Sequence, residues 1–343
     1  MPNPKVSVLM SVYNGERYIS EAIFSILNQT FQDFEFIIID DGSTDSSRDI
    51  IDSFGDPKIS VFENDRNLGL TKSLNKGIDL CRGQYIARMD ADDISLRERL
   101  EKQKNFMDRN EEIGICGTWT KTIGEKSGEI RKYPIHKEDI RCNLLFNNAL
   151  CHSTLFFRKD ALFSSNLKYD TSFRYSQDFD LMVRASAIFP LANIPEVLLL
   201  YRIHFRQIAE TVKEQQVIAG NKIRESQLAN FQLEPTIRQM SLHFNFIDLK
   251  MYVSRKIIDE SHDWLLQLKK ANDKTGFYDS KVMTKFLAYL WLRLCNASVG
   301  LGWWIWRRFR SSPFIEGTSL ANLKIWKFFA KCFIKWPSNI ISH

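Results

Sequence analysis

Along the first part of the chain, apolar residues come in short unbroken runs separated by stretches of helical periodicity. Val6 to Val12 and Phe34 to Ile39 lack the alternation of a strand with one wet face, so each predicts a strand covered on both sides, as in a parallel sheet. Tyr13-Asn14-Gly15 reads as a turn, and Tyr18 to Asn28 as an amphipathic helix. A helix to about Phe54, a strand at Ile59 to Glu63, a helix from about Thr71 to Cys81 and a strand at Tyr85 to Met89 continue the alternation. Strand and helix at this spacing predict a doubly wound α/β sheet, where ligands bind beyond the C-terminal ends of strands.

After Asp93 the pattern loosens. It predicts a helix from about Arg97 to Asn110, strands near Ile113 to Trp119 and Ser153 to Arg158, a helix after Gln177 and a last strand at Val197 to Tyr201. From about Lys213 the chain turns helical and polar, with helical spacing in Leu242, Phe246, Leu249 and Val253. The expected organisation is an α/β domain over residues 1–212 and a helical region over 213–343.

With 343 residues and 44% apolar content, the chain can bury a large core. Six cysteines stand singly with no CxxC pair, which points away from a zinc site or disulfide framework and toward a reducing, cytoplasmic setting. The start, MPNPKVSVLM, runs straight into the first strand without a signal-peptide pattern, and the longest uncharged stretch near the C-terminus, Leu294 to Trp306, falls short of the ~20 residues of a membrane span. Charge is unevenly distributed. From Lys281 onward ten Lys or Arg face the single acid Glu316, and six of the eight tryptophans share that segment.

The polar clusters of the first domain fall just past strand ends. In Asp40-Asp41-Gly42-Ser43, an ionised Asp accepts hydrogen bonds only and is able to select a pyrimidine N3–H; the same residues also suit a turn and helix cap. Met89-Asp90-Ala91-Asp92-Asp93 crowds three carboxylates, a repulsion that hard Mg²⁺ or Mn²⁺ relieves, or else it is a solvated loop capping the next helix. Gln177-Asp178-Phe179-Asp180 opens a helix, where an acid serves as a cap or as a general base. His204, after the last strand, is a structural histidine or a nitrogen ligand to the same ion.

Taken together, VSVLMSVYN (Val6 to Asn14), Gln29-Thr30-Phe31, IDDGSTD (Ile39 to Asp45), NLGL (Asn67 to Leu70), LNKGI (Leu74 to Ile78), GQYIARMDADD (Gly83 to Asp93), QDFD (Gln177 to Asp180) and YRIH (Tyr201 to His204) resemble glycosyltransferase family 2. The resemblance spans roughly residues 5–210. It implies a GT-A fold, a nucleotide-binding α/β sandwich with a mostly parallel central sheet, followed here by the helical extension. It further implies inverting transfer of a sugar from a nucleotide diphosphate sugar, UDP foremost, to an acceptor hydroxyl with Mn²⁺ or Mg²⁺ as cofactor.

By the same resemblance, Tyr13 packs on uracil and Asp41 reads its N3–H, with Val12, Asn14 and Ala91 also on the donor. Asp92 contacts the metal, Asp90 the ribose or the ion, and His204 the diphosphate or metal. Asp178 is the base, with Gln177 standing where many members have Glu. Arg66 and Lys72 flank NLGL and are either phosphate contacts or solvated surface charges.

Ser319 to Pro337 reads as a basic amphipathic helix, with Lys324, Lys327, Lys331 and Lys335 on one side and Leu323, Trp326, Phe329, Phe333 and Trp336 on much of the rest. Such a helix lies in an anionic membrane interface, or packs on the catalytic domain or a second subunit. The apolar stretch Phe286 to Trp306 adds to the membrane reading. The expected partners are therefore a saccharide or lipid-linked acceptor and the inner face of the cell membrane, contacted peripherally through residues 281–337; a homo-oligomer is compatible, and nucleic acid is not expected. Two rival readings are a nucleotidyltransferase, which normally needs a Gly-rich basic loop that SVYNGERY does not provide, and a non-catalytic nucleotide- or carbohydrate-binding module.

Overall fold

The computed structural model describes residues 3–204, 212–246, 254–315 and 322–333. The chain forms two compact units, Met1–Ile140 with Asn148–Gly220, and Arg141–Asn147 with Asn221–His343. The first part of the chain runs β1 (Val6–Val12), α1 (Ile19–Leu27), β2 (Phe34–Asp40), α2 (Ser47–Ser53), β3 (Ile59–Glu63), α3 (Leu70–Leu80), β4 (Tyr85–Asp90), β5 (Ile94–Ser95) and α4 (Arg99–Arg109). There follow β6 (Ile115–Gly124), β7 (Ile130–Arg131), α5 (Lys137–Leu144), β8 (Phe156–Arg158), α6 (Lys159–Ser164), α7 (Gln177–Ser186) and β9 (Leu191–Ile203).

Among the described residues the nine strands form one sheet, in the order β3-β2-β1-β4-β8-β6-β9-β5, with β7 on β6. β3, β2, β1 and β4 are mutually parallel, β8 runs antiparallel between β4 and β6, and β6 pairs in parallel with β9. Val8, Met10, Phe36 and Ile38 have no exposed surface, so the unbroken apolar runs do mark strands sandwiched on both faces. Register then aligns the chemistry. Val12 lies opposite Asp40 and Ser11 opposite Asp90, so the loops starting at Tyr13, Asp41 and Ala91 leave the sheet from the same edge.

Three strands differ from expectation, and the first is β6, which runs Ile115–Gly124 rather than Ile113 to Trp119. β9 covers Leu191–Ile203 rather than Val197 to Tyr201, because the register shift opposite Trp119 lets Pro195 and Glu196 bulge out of the ladder without needing a proline N–H. Residues His152–Thr154 form a 3-10 turn instead of opening a strand, and β8 is left with three residues.

The later chain is helical: α8 (Lys213–Leu228), α9 (Ile237–Asn245), α10 (Arg255–Thr275), α11 (Ser280–Ala297), α12 (Trp303–Arg310) and α13 (Asn322–Phe333). Thr236 and Gln239 form a capping box on α9, and Ser254 caps α10 through the Ile257 N–H. The second unit's core includes Leu242, Phe246, Trp264, Leu268, Leu287, Trp291, Leu294, Ile305 and Phe309. Most of the apolar stretch from Phe286 to Trp306, Leu287, Trp291, Leu294 and Ile305 among it, is therefore committed to this core, whereas Trp303 stays exposed. Leu249, Val253, Ser319, Lys335, Trp336 and Pro337 lie outside the described residues, as do the side chains of Leu323, Lys324 and Phe333. No helix among the described residues is long and apolar enough to cross a membrane.

Candidate active site

The loops after β1 and β2 are laced together. Thr44 N–H donates to Asn14 Oδ1 at 2.8 Å, Asn14 N–H to Ser43 Oγ at 3.0 Å and Gly15 N–H to Ser47 Oγ at 2.8 Å. Val12 carbonyl accepts the Asp41 N–H at 2.8 Å. Tyr13, 48% exposed, stands at the rim of this pair. Asp41 is buried, and its carboxylate accepts from Asn64 Nδ2 (2.7 Å), Leu68 N–H (2.9 Å) and Gly69 N–H (2.9 Å). It thus anchors the NLGL loop, and of the roughly four lone-pair sites on a carboxylate it keeps about one for a further donor. Gly42 has φ +72°, and a Cβ there would lie 2.7 Å from the Arg66 carbonyl carbon, so only glycine lets the two loops close on each other.

At the end of β4, oxygens of Asp90, Asp92 and Asp93 all lie within 4.8 Å of one another. Asp90 is paired with the buried guanidinium of Arg88 through both oxygens and accepts from Ser153 Oγ at 2.6 Å. Burial opposes its charge, but Arg88 and then His152 hold its carboxyl below the usual range. Asp93 is fully buried; its Oδ1 accepts the Arg202 N–H at 2.8 Å, whereas its Oδ2 has no hydrogen-bond partner. Burial, with the charges of Asp92 and Asp90 beside it, pushes the Asp93 carboxyl well above its ordinary value. The end of β9 delivers His204, whose Nε2 lies 3.0 Å from Asp92 Oδ2 and whose ring packs 4.9 Å from that of Tyr18. An orphaned buried oxygen, crowded carboxylates and an imidazole nitrogen are a donor set that fits a hard divalent cation.

Asp178 opens α7 after Ser176, which is held at φ 59°, a costly conformation for a residue with a Cβ. Its Oδ2 accepts from Asn148 Nδ2 at 2.8 Å. Next to it, His152 Nε2 and the Tyr169 hydroxyl share a 2.8 Å hydrogen bond. Both rings sense the charges of Arg88, Asp178 and Asp90. Burial and then Arg88 push His152 down to about 4, so it is neutral at neutral pH. Tyr169 is pinned in place because its backbone N–H and C=O both bond to the Asn75 side chain of α3, at 3.0 and 2.8 Å.

Of the other nominated residues, Arg66 follows the Asp41-bound Asn64 with its backbone against Gly42, and Lys72 lies in the first turn of α3. Arg66 and Lys72 are exposed, and Asp180 turns away to an ion pair with Arg184 at 2.6 Å. Sequence reasoning missed Arg88, Asn148, His152, Ser153, Tyr169 and Arg202. Arg88 alone had a local signal, a cation inside the otherwise apolar strand YIARMD.

Strand-end loops on a parallel half-sheet, with an acid cluster at their mouth, make this an enzyme of the GT-A type. The family model of glycosyl transferase family 2 matches residues 7–165. An uncharacterized glycosyltransferase of Haemophilus influenzae is 33% identical over 240 residues, covering 66% of this chain and 74% of that protein. The O-antigen biosynthesis glycosyltransferase WbnJ of Escherichia coli is 35% identical over 230 residues, 64% of this chain and 88% of its own. Among solved structures, S. aureus TarS 1-349 in complex with UDP-GlcNAc aligns over 85% of this chain and 89% of its own, with a TM-score of 0.58 at 16% identity. The chain belongs to glycosyltransferase family 2.

Proposed function

We propose that this enzyme moves a sugar from a uridine diphosphate sugar to a hydroxyl of a lipid-linked or cell-surface saccharide precursor, with inversion at the anomeric carbon, on a catalytic domain spanning residues 1–212. The observation that carries the reading is that one short segment holds both acids: Asn148 donates to Asp178 at 2.8 Å and Ser153, five residues on, donates to Asp90 at 2.6 Å. An acceptor hydroxyl held at Asp178 then adjoins the acids that face the donor's diphosphate. Names of similar proteins support the choice of substrates: WbnJ acts in O-antigen biosynthesis, AmsE of Erwinia amylovora in amylovoran biosynthesis, and TarS was solved with UDP-GlcNAc and with UDP.

In this mechanism Tyr13 stacks on the uracil ring and the remaining lone pair of Asp41 accepts its N3–H, between Val12, Asn14 and Ala91. Asp178 removes the proton of the acceptor hydroxyl as its oxygen bonds to the anomeric carbon, and the bond from that carbon to the diphosphate oxygen breaks on the opposite side. Asn148 fixes the orientation of the base through its 2.8 Å hydrogen bond. Asp92, Asp93 and His204, with Asp90 alongside, would hold Mn²⁺ or Mg²⁺, which offsets negative charge on the departing diphosphate.

The test is a donor screen across uridine, thymidine and guanosine diphosphate sugars, with Mn²⁺ and with chelator. Asp178→Asn is expected to bind donor as the wild type does and to transfer about 10²- to 10⁴-fold more slowly. Wild-type transfer by this variant would overturn the base assignment, and full activity in excess chelator would overturn the metal.

A further inference from the structure

We propose that α12 and α13 of the second unit form a face that docks on an anionic lipid bilayer, through two exposed tryptophans and four cations. This deepens the reading of a membrane-linked acceptor, but the contact itself needs no sugar chemistry. On α12, Trp303, Arg307 and Arg310 fall at i, i+4 and i+7, and all three are exposed, Trp303 by 54%. On α13, Trp326 is 66% exposed and is flanked by exposed Lys327 and Lys331. The inward residues Ile305, Phe309, Phe328 and Cys332 are buried, while Trp303 and Trp326 present most of their surface outward.

The two stripes join into one surface. Trp306 of α12 lies 4.8 Å from Phe329 of α13, Phe329 lies 5.7 Å from Trp326, and the Arg310 guanidinium sits 5.9 Å over the Trp306 ring. Arg308 is paired with Asp259 at 2.6 Å, whereas Arg307, Arg310, Lys327 and Lys331 have no ion-pair partner among the described residues. No acid occurs between Lys281 and Ile315 or within α13. Amphipathic aromatic rings suit the headgroup level of a bilayer, and unpaired cations suit its anionic lipids. A second copy of the chain is a poor occupant, because a two-fold interface would set this basic patch against itself, and from Lys281 onward the sequence has ten Lys or Arg and the single acid Glu316.

Flotation of the full chain with vesicles of phosphatidylcholine alone, and with added phosphatidylglycerol, tests the face. Binding is expected only to the anionic vesicles, weakening with salt and by about fivefold for each cation replaced in Arg307→Gln, Arg310→Gln, Lys327→Gln and Lys331→Gln. Trp303→Ala with Trp326→Ala is expected to abolish flotation while leaving the thermal midpoint and turnover on a soluble saccharide acceptor unchanged. Equal flotation of the Trp variant, or no preference for anionic vesicles, overturns the proposal. A dimer in light scattering that the Trp variant dissolves also overturns it, by naming a second copy as the occupant. If the wild type floats but turns over no donor, the glycosyl-transfer reading fails and this face stands.

Discussion

Asp93 has a carboxyl in the position least suited to carry charge: fully buried, one oxygen without a partner, two acids beside it. Its folded value is raised, so the folded state binds more protons than the unfolded one above the ordinary 3.8, and this group's contribution to stability declines as pH rises. At neutral pH, Asp93→Asn removes the penalty while keeping the shape. The variant is expected to be more stable than the wild type in chelator by on the order of 1 kcal/mol, and to gain less stability when Mn²⁺ is added. Urea midpoints with and without the ion measure both. A less stable variant in chelator would show that the charge is already compensated.

At the level of elements, the carboxylate of Asp41 and the glycine after it shape the proposed donor side by holding the loop from Asn64 to Gly69 against the end of β2. Gly42→Ala must move the Arg66 backbone and adopt a left-handed φ, and is expected to cost about 1–3 kcal/mol and to weaken nucleotide binding in the same variant. Calorimetric melting and nucleotide titration read the two effects. β1, β2 and β4 were legible because burial on both faces leaves an unbroken apolar run, and the acids were legible because they end those runs. His152, Tyr169 and Asn148 were not, since they reach the site only through the β4–β8 pairing and the Asn75 clamp, contacts between segments far apart in sequence that leave no local period. Helix α11 was ambiguous for the opposite reason: a strongly apolar stretch records burial but not what buries it, and for most of this one the neighbouring helices do.

At the scale of the molecule, three histidines among the described residues are stored neutral in the interior: His152 in the first unit, His243 and His262 in the second. Burial first, and nearby arginines, push them down to about 4, 3 and 4 from 6.5. Their stabilising effect is complete above 6.5 and is lost as pH falls from there toward 4, with a slope of about 1.4 kcal/mol per pH unit for each group. Urea unfolding at pH 7 and pH 5 is expected to show the second unit losing more than the first; equal losses would place the acid-sensitive groups elsewhere. The long β6–β9 ladder has a different consequence. Its two strands run parallel, so residues 125–190, which carry Asp178, leave the ladder beyond Gly124 at one end and return to it at Leu191 at the other, opposite Ile115. On the way it is clamped again, because β8 pairs with both β4 and β6, so only the loops between these fixed points are free to change length. Insertions or deletions in those loops are expected to reshape the proposed acceptor side around Asp178, while β1 to β4 and the loops that follow them keep their register.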